Sequence, residues 1–487
     1  MITDNDIAKL ILGFKIRMLR LSNKTSYQKI ADETGLSVSY LNDIEKGKKY
    51  PKPDKITKLA QVFNLEYDEL VSLKSDKKLQ PVIELLNSDF FKHFPLEQFG
   101  VSLEKLIDVF SNSPDRFSAI ISTVLKMTRS YQIEKEQFFR IALRSFQDIH
   151  DNYFSTVESA VKEFRAEQPS PIPIACSPGK LEGLLKSYDI TIDRKVLGQH
   201  EKLKRFRSYY QPEKKILYLN DGLSVNQRRF LLAKELGFQY LGIEDRPLET
   251  ELDRDVSFEK LFNNFRSSYF AAALLMDEEE MIKDIHQLSR AADWSPDLIA
   301  HLLDKYQVTP ETLFQRLTNL LPHHFDIKDL FFIKLNGMKD MVSFDITKEL
   351  HLSQLQSPYH NEVNEHLCHR WVSISTVKNI RSRKSEYLID AQISNYWQTD
   401  RSYFCISVAQ PAGFDQSSAS SITLGLLMSE KLKATFNFIK DPSIKIKTVN
   451  TTCERCSVFD CDSRVAPPTH IEKKDYQEML AAELGKL

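Results

Sequence analysis

The chain has 487 residues, with 66 basic and 67 acidic side chains, 42% hydrophobic residues and six cysteines. This length suits about three domains of 100–200 residues, and the net charge of -1 excludes a uniformly basic nucleic-acid coat. No run of about 18 apolar residues and no apolar signal segment occur, so we expect neither a membrane helix nor secretion. Few cysteines favour a reducing compartment, and the predicted location is the cytoplasm.

Four regions are predicted from apolar spacing and from chain breakers. Residues 1–73 show helical spacing and form an all-α domain, in which residues 1–80 carry 15 basic against 11 acidic residues. Residues 74–168 form a helical connector that ends at the proline-rich stretch after Gln168. Residues 169–322 and 323–487 are of mixed type, so the fold class is multidomain α and α+β.

The connector is predicted to contain one helix that begins at Ser113 and Pro114, which suit the N-cap and the first helical position. A single longer helix should then carry the aromatic and apolar residues between 138 and 164. They exceed what one isolated helix can bury, and they indicate either a bundle core or a dimer interface. In the mixed regions we expect helices at 226–242 and 257–278 and strands at 215–220, 330–335, 403–408 and 444–449.

The sharpest pattern of the first region spans residues 25–47. A helix that contains Ile30 and Ala31 is followed by Gly35, which can turn the chain in the left-handed region. Ser37 then suits the N-cap of a second helix. This layout predicts a helix-turn-helix, whose second helix enters the major groove of DNA. A small helical bundle without a DNA partner is the alternative.

The exposed start of the second helix would read base edges. Asn42 can bond adenine through two hydrogen bonds, and Ser39 is an adaptable partner. Basic and amide side chains near the phosphates would fix the position of the protein along the duplex. The predicted DNA-contacting residues are Gln28, Ser37, Val38, Ser39, Tyr40, Asn42, Lys46, Lys48 and Lys49.

This segment resembles the lambda-repressor-like (Xre-type) family. Nine positions of the family motif are matched: Ile30, Ala31, Gly35, Ser37, Leu41, Ile44, Glu45, Gly47 and Pro51. The glutamine of the motif falls on Tyr27, one residue before Gln28, which weakens the role assigned to Gln28. The resemblance implies sequence-specific binding to double-stranded DNA, normally as a homodimer or a higher homo-oligomer.

A second helix, at residues 229–241, has the spacing of a zinc-binding pair but not its residues. Positions 234 and 238 share one helix face, and they hold Lys234 and Phe238. Phenylalanine has no lone pair, and Glu235 has no metal-bound water to activate. The segment resembles the ImmA/IrrE-type peptidases, whose third ligand falls here on Asn264 or Arg266. The resemblance implies a degenerate zincin-like domain at 169–322 and no enzyme activity.

Three cysteines lie within nine residues near the end of the sequence, at Cys453, Cys456 and Cys461. Thiolates at this spacing suit an iron–sulfur cluster or a soft metal, with structural zinc as the alternative. A fourth ligand is needed, and Cys368 is the first candidate. His369 and Cys405 are the reserves, and packed thiols without a metal are the remaining interpretation.

The C-terminal half also has a family likeness, carried by the Cys-His-Arg-Trp stretch at 368–371, by residues 420–425 and by the cysteine stretch at 453–468. It resembles the short-chain fatty acyl transcriptional regulators, which combine an Xre-type head, an ImmA/IrrE-like middle and a cysteine-bearing tail. The resemblance implies a GAF-like sensor domain at 323–487, a short-chain acyl-CoA ligand and a 4Fe-4S cluster.

The predicted function is therefore that of a bacterial transcriptional regulator that binds double-stranded DNA and senses a short-chain acyl-CoA or a related metabolite. A redox-responsive regulator or scaffold built on the cysteines is the first alternative. A repressor-cleaving metallopeptidase is the second, and the residues at positions 234 and 238 argue against it.

Overall fold

The computed structural model forms two compact units: residues 1–146 with 254–262, and residues 147–253 with 263–487. The residues that the structure describes are 4–72, 80–88, 96, 98–102, 105, 121–123, 135–247, 257–337, 343–352, 365–380, 386–412 and 418–486. The predicted helix start at Ser113 and Pro114 lies outside them.

Five helices build the N-terminal head of the first unit: α1 (Asp4–Ser22), α2 (Tyr27–Thr34), α3 (Val38–Glu45), α4 (Pro53–Val62) and α5 (Tyr67–Val71). They share one core, in which Leu41, Ile44 and Leu59 are buried. A sixth helix, α6 (Gln80–Asn87), packs with the other face of α1 through Val82 and Ile83. The all-α prediction for this region is confirmed.

The long helix predicted across residues 138–164 is wrong, because the structure has two helices, Lys135–Ile149 and Ser155–Ala166. Between them, Asp151 and Asn152 adopt the left-handed region, with φ of 50° and 52°. Asp and Asn tolerate this conformation better than other residues with side chains. Asn152 is also held by Thr318 and Asn319, at 2.9 Å and 2.8 Å. Periodicity does not reveal such long-range bonds.

The second unit begins with helices and a small sheet of order β1-β3-β2, made of β1 (Thr191–Asp193), β2 (Ser208–Gln211) and β3 (Ile216–Leu219). Strand β3 and the two predicted helices near 226–242 and 257–278 are confirmed. The helices of this part are Ser155–Ala166, Pro178–Lys186, Val196–Gln199, Val225–Tyr240, Phe258–Leu275, Glu278–Ser289, Asp297–Tyr306 and Pro310–Phe325.

A six-stranded sheet of order β5-β4-β8-β7-β6-β9 forms the rest of the unit, and all its pairs are antiparallel except β6 with β9. Three of its strands were predicted. The strands are β4 (Leu330–Gly337), β5 (Phe344–His351), β6 (Leu388–Tyr396), β7 (Ser402–Ala412), β8 (Ser418–Leu427) and β9 (Lys445–Val449). Short helices lie at Val372–Ile380 and Glu430–Thr435, and a last one, the tail helix, at Thr469–Leu484.

The two faces of this sheet are buried differently. One face, with Phe332, Phe404 and Leu424, belongs to the core that the preceding helices build. The other face is covered by helix Val372–Ile380. Phe331 packs on Gly425 so closely that a Cβ there would come within 2.2 Å of its ring. No helix among the described residues is long and apolar enough to cross a membrane.

Candidate functional site

The second helix of the helix-turn-helix, α3, is positioned by local capping and by its buried face. Gly35 ends α2 with φ of 71°, the left-handed conformation expected for it. The Ser37 hydroxyl accepts a hydrogen bond from the backbone N–H of Tyr40 at 3.1 Å. Leu41 and Ile44 are buried. These features turn the opposite face of α3 outwards, as a recognition helix requires.

The outward face of α3 offers polar groups that are available to a base. Ser39 is exposed and Asn42 half-buried, and neither side chain hydrogen-bonds to another residue in the described part of the chain. Val38 is exposed and can contact a thymine methyl group. The Ser37 hydroxyl is already used as the N-cap. The unbonded polar side chains of this face are therefore those of Ser39 and Asn42, not that of Ser37.

Basic side chains surround this face. The ammonium groups of Lys49 and Lys55 lie over the Tyr40 ring, at 5.5 Å and 4.6 Å from its centroid. Lys49 also pairs with Asp43 at 2.9 Å, which partly offsets its charge. Lys46 is half-buried and Lys48 exposed. Lys55, not predicted as a contact residue, joins this basic surface because α4 begins beside α3.

The position of Gln28 in the structure does not favour the predicted contact with a phosphate. Gln28 is exposed on α2, and its amide donates to Asp32 at 2.9 Å. The motif position itself, Tyr27, points to the interior, and its hydroxyl donates to the Glu45 carboxylate at 2.6 Å. Arg20 donates to the same carboxylate through Nε at 2.6 Å and Nη2 at 2.8 Å. Tyr27, which stands where the family motif has glutamine, thus bonds the last residue of α3.

The degenerate peptidase motif lies on helix Val225–Tyr240, and a cation occupies the place of its first ligand. Lys234 Nζ donates to Asn264 Oδ1 at 2.6 Å. Of the two residues predicted for the third position, Asn264 contacts the motif through this hydrogen bond. An ammonium group held by an amide repels a metal ion and offers it no lone pair.

The acidic residue of the motif, Glu235, is paired with a cationic side chain. Glu235 is buried, and both its carboxylate oxygens accept hydrogen bonds from Arg246 Nη1 at 2.8 Å. The Arg246 guanidinium also lies over the rings of Tyr210 and Phe238, at 4.4 Å from each centroid. A carboxylate tied to a guanidinium in this way is a poor general base. Both polar side chains of the motif, Lys234 and Glu235, are thus bonded to other residues of the domain.

The four predicted cysteines of the tail line one pocket, here called the cysteine pocket: Cys368, Cys453, Cys456 and Cys461. An isolated antiparallel bridge between Leu367 and Thr452 brings the two segments together. Its flanking bonds run from Cys453 N–H to His366 O at 2.9 Å and from Cys368 N–H to Thr451 O at 3.0 Å. Residues 85 positions apart thus meet because of backbone pairing.

Arg464 holds the loop that carries three of these cysteines. Its guanidinium donates to the carbonyl oxygens of Cys453, Cys456 and Val458 at 2.7–2.8 Å. Its Nε is buried and has no hydrogen-bond partner among the described residues. A cation with an unused donor beside four thiols fits a group that carries negative charge, such as metal-bound thiolates.

The four thiols line one pocket without being drawn together as ligands: in the described part of the chain, no three His, Cys, Asp or Glu side chains are grouped as metal ligands would be. A metal ion held there would have to draw the thiols closer to one another. Burial raises the pKa of the Cys368 thiol, so the thiolate requires a nearby cation. Of the reserves, His369 lies at the pocket and Cys405 does not. Cys405 is enclosed in β7, where burial raises its pKa to about 12.

A larger groove lies where strands β6, β7 and β8 end, and sequence reasoning did not predict it. Its volume is about 600 Å³, within the range of about 300–1,000 Å³ typical of small-molecule sites. Leu427 and Met428 supply apolar wall, and Arg401 and Lys433 supply cations. Carboxylates line it too. The full lining is Asp329, Ile393, Asn395, Asp400, Arg401, Ser402, Tyr403, Leu427, Met428, Lys433 and Ile446.

Two family models match the chain. Residues 16–70 match the helix-turn-helix model, and residues 186–318 match the model of the IrrE N-terminal-like domain. No curated protein matches it. Among solved structures, a Mycobacterium tuberculosis transcriptional regulator is similar at 18% identity and a TM-score of 0.48, over 68% of this chain and 94% of that chain.

Two domains are therefore assigned by family. The chain contains a helix-turn-helix domain, a fold that binds DNA, at residues 16–70, and an IrrE N-terminal-like domain at residues 186–318, in which positions 234 and 238 hold Lys234 and Phe238. The sequence-based recognition of both domains is confirmed.

Proposed function

We propose that this protein is a sequence-specific transcriptional regulator that reads duplex DNA with α3. The proposal rests on the position of α3, which Ser37 caps and whose inner face is buried. Its outer face presents the unbonded side chains of Ser39 and Asn42 beside several lysines. Two copies would bind two half-sites about 34–36 Å apart, or a multiple of that distance. Base contacts give specificity and the lysines give affinity.

We expect Asn42→Ala to weaken binding to a duplex enriched from a random pool by about 1–3 kcal/mol, because a bidentate base contact is lost. The loss should be confined to one base position of each half-site. Fluorescence anisotropy at fixed salt measures it. Gln61→Ala removes an exposed amide from α4 and is the matched control. Equal affinity of Asn42→Ala and the wild-type chain for every duplex would reject this contact.

We further propose that the cysteine pocket holds a thiolate-ligated metal centre, an iron–sulfur cluster or zinc. Cys368, Cys453, Cys456 and Cys461 would be the ligands, and the partnerless Nε of Arg464 supports an anionic group there. A cluster would supply redox sensitivity, whereas zinc would supply a structural cross-link. In either case the four cysteines would join the two segments of the chain that carry them.

Cys456→Ser should remove the metal from protein purified without oxygen. Metal and sulfide analysis with a visible spectrum checks this, and Cys176→Ser, which lies outside the pocket, is the control. Iron with matching sulfide in the wild type and not in Cys456→Ser would support the cluster, and one zinc per chain would support the structural clip. A metal content that Cys456→Ser leaves unchanged would contradict the assignment.

We propose that the groove between the strand ends binds the sensed metabolite, a short-chain acyl-CoA or a related anion. Arg401 forms no ion pair among the described residues, so its guanidinium is available to a phosphate or a carboxylate. Leu427 and Met428 would take the short acyl chain. The ligand can change DNA binding only if the protein has two conformations that differ in their affinity for the ligand.

Propionyl-CoA should raise the melting temperature of the wild-type chain, because a ligand that binds the folded state stabilises it. Arg401→Gln should lose most of this shift. The exposed Arg205→Gln should keep it. Free CoA and propionate, tested separately, show which end of the ligand is recognised. A full shift in Arg401→Gln would place the ligand elsewhere.

A further inference from the structure

The small sheet β1-β3-β2 has one face in the core of its unit and one face towards solvent. Leu217 and Leu219 of β3 are buried in the core. Since side chains alternate along a strand, their neighbours lie on the opposite face, here called the tyrosine face: Tyr209, Gln211, Ile216 and Tyr218. The Tyr209 side chain is 38% exposed, and the other three residues are half-buried.

The two tyrosines of this face form a cross-strand aromatic pair. Tyr209 of β2 lies directly opposite Tyr218 of β3, with ring centroids 6.2 Å apart and an angle of 21° between the rings. The Tyr218 hydroxyl donates to Gln211 Oε1 at 3.3 Å, which holds the inner ring of the pair. Strand β2 lies at the edge of the sheet, so the Tyr209 ring is accessible. Exposed rings of this kind are stacking surfaces for unpaired bases.

Cations lie at both ends of the tyrosine face. Residues 194–215 contain eight Lys or Arg and two acids. Lys195 follows the end of β1, and Lys214 ends the turn between β2 and β3 at the opposite end of the sheet. Both are exposed, and neither forms an ion pair in the part of the chain that the structure describes. The cations that are already paired are Arg194, Lys204 and Lys215.

The basic turn before β2 is held in place by one buried side chain. Asn220 Nδ2 donates to the carbonyl oxygens of Lys204 and Phe206, at 2.8 Å and 2.9 Å. Its backbone N–H donates to Arg207 O at 3.0 Å. The backbone of the turn is therefore fixed beside the start of β2, which lowers the entropy that a bound ligand would cost.

We propose that the tyrosine face binds single-stranded nucleic acid, with bases stacked on Tyr209 and Tyr218 and phosphates at the cations of the two sheet ends. This activity goes beyond the reading of duplex DNA by α3. A duplex keeps its bases stacked inside and offers a protein surface mainly phosphates and groove edges, so it would leave the two rings unused. A single strand exposes its bases to aromatic side chains.

An acid limits the path of the strand over the sheet. Asp193 of β1 lies opposite Tyr218, and its carboxylate accepts hydrogen bonds from the backbone N–H groups of Val196 and Lys195, at 3.0 Å and 2.8 Å. These bonds lower the pKa of the Asp193 carboxyl, so it is ionised at neutral pH and repels phosphates. The strand would therefore run over β2 and β3 and avoid β1.

Fluorescence anisotropy of the full chain with labelled oligo(dT) and oligo(U) tests the stacking, in excess unlabelled duplex that occupies α3. Tyr209→Ala should weaken binding at least about fivefold, the lower end of the effect of losing one stacked base. Tyr209→Phe keeps the ring and should keep the affinity. Tyr476→Ala removes an exposed tyrosine of the tail helix and is the control. Circular dichroism shows whether the Tyr209 variants keep the fold.

The salt dependence of the same binding tests the phosphate contacts. Lys195→Gln with Lys214→Gln should flatten the slope of log K against log salt by about 1.4, because each phosphate contact of a single strand contributes about 0.7. Tyr209→Ala should leave the slope unchanged, since it removes a stacking contact and no charge. Lys431→Gln with Lys473→Gln removes two exposed cations elsewhere in the same unit and is the control.

Equal affinity of the wild-type chain and Tyr209→Ala for both oligonucleotides, or no binding by either, would overturn the inference. An effect of the Lys195 and Lys214 substitutions on a duplex alone would also overturn it and would make this surface a duplex contact. Tighter binding of either oligonucleotide, lost in Tyr209→Ala, supports the inference and identifies DNA or RNA as the strand. The same loss in a protein without duplex preference supports the tyrosine face and overturns only the proposal for α3.

Discussion

We expect Arg316→Met to destabilise the second unit by about 3–5 kcal/mol, the cost of leaving one partner of a buried ion pair without the other. Arg316 is fully buried, and its Nη2 donates to Glu158 Oε2 at 3.0 Å. Its Nη1 contacts Oε1, and its Nε donates to Met276 O at 3.2 Å. Tyr269 donates to Glu158 Oε1 at 2.7 Å. After the substitution, the Glu158 carboxylate keeps only that hydroxyl among these donors.

Scanning calorimetry of the full chain measures this effect as a lower melting temperature. Lys283→Met is the control, because its pair with Glu280 is exposed and such pairs contribute about 0–1 kcal/mol. Arg316→Met combined with Glu158→Gln should recover part of the loss, since no buried charge remains and Tyr269 keeps an acceptor. If Arg316→Met is as stable as Lys283→Met, the ion pair of Arg316 with Glu158 does not stabilise the core.

The second large effect is expected in the DNA-binding head. Arg20→Met should cost about 3 kcal/mol and abolish duplex binding at physiological temperature, because the buried Glu45 loses its charged partner. Only 1% of the Glu45 side chain is exposed, against 13% for Arg20. Burial, with the hydrogen bond to Glu45, raises the pKa of Tyr27 to about 12. Tyr27 therefore remains a neutral donor and cannot replace the cation.

Thermal unfolding and anisotropy on the same samples test this prediction. Lys29→Met is the control, because Lys29 and Glu33 are both exposed and lie 3.9 Å apart. Tyr27→Phe should show a smaller loss, about 1–2 kcal/mol, as expected for one buried hydrogen bond to a charged group. Normal duplex affinity of Arg20→Met would mean that the position of α3 does not depend on this ion pair.

The local structure of the head could be predicted from sequence because its signals are short-range. Gly35 ends α2 in the left-handed region, and Ser37 caps α3, as their residue types require. Strand β3 was likewise evident from its apolar run and the turn at Asp221. Such features need only neighbours within a few residues.

What escaped prediction depends on contacts between distant residues. Glu158 and Arg316 are 158 positions apart, and Lys234 and Asn264 are 30 apart. Neither pair produces a periodic pattern in the amino-acid sequence. The break at Asn152 is stabilised from helix Pro310–Phe325, so apolar spacing alone predicted a continuous helix. The groove at Arg401 arises where three strand ends meet, and composition does not mark it.

The polar side chains of the peptidase-like motif are bonded to other residues of the domain. Lys234 bonds Asn264, and Glu235 bonds Arg246, so each polar side chain of the motif has a partner. Buried polar groups without partners are costly. The side chains at these positions therefore have their bonding partners within the domain itself.

The most direct test of the account is a competition measurement at fixed salt between a duplex enriched from a random pool and a scrambled duplex of equal length. We expect the wild-type chain to bind the enriched duplex at least about a thousandfold more tightly, as sequence-specific proteins do. Asn42→Ala should lose most of that preference, and Gln61→Ala should keep it. Equal affinity of the wild-type chain for both duplexes would contradict sequence-specific regulation by α3.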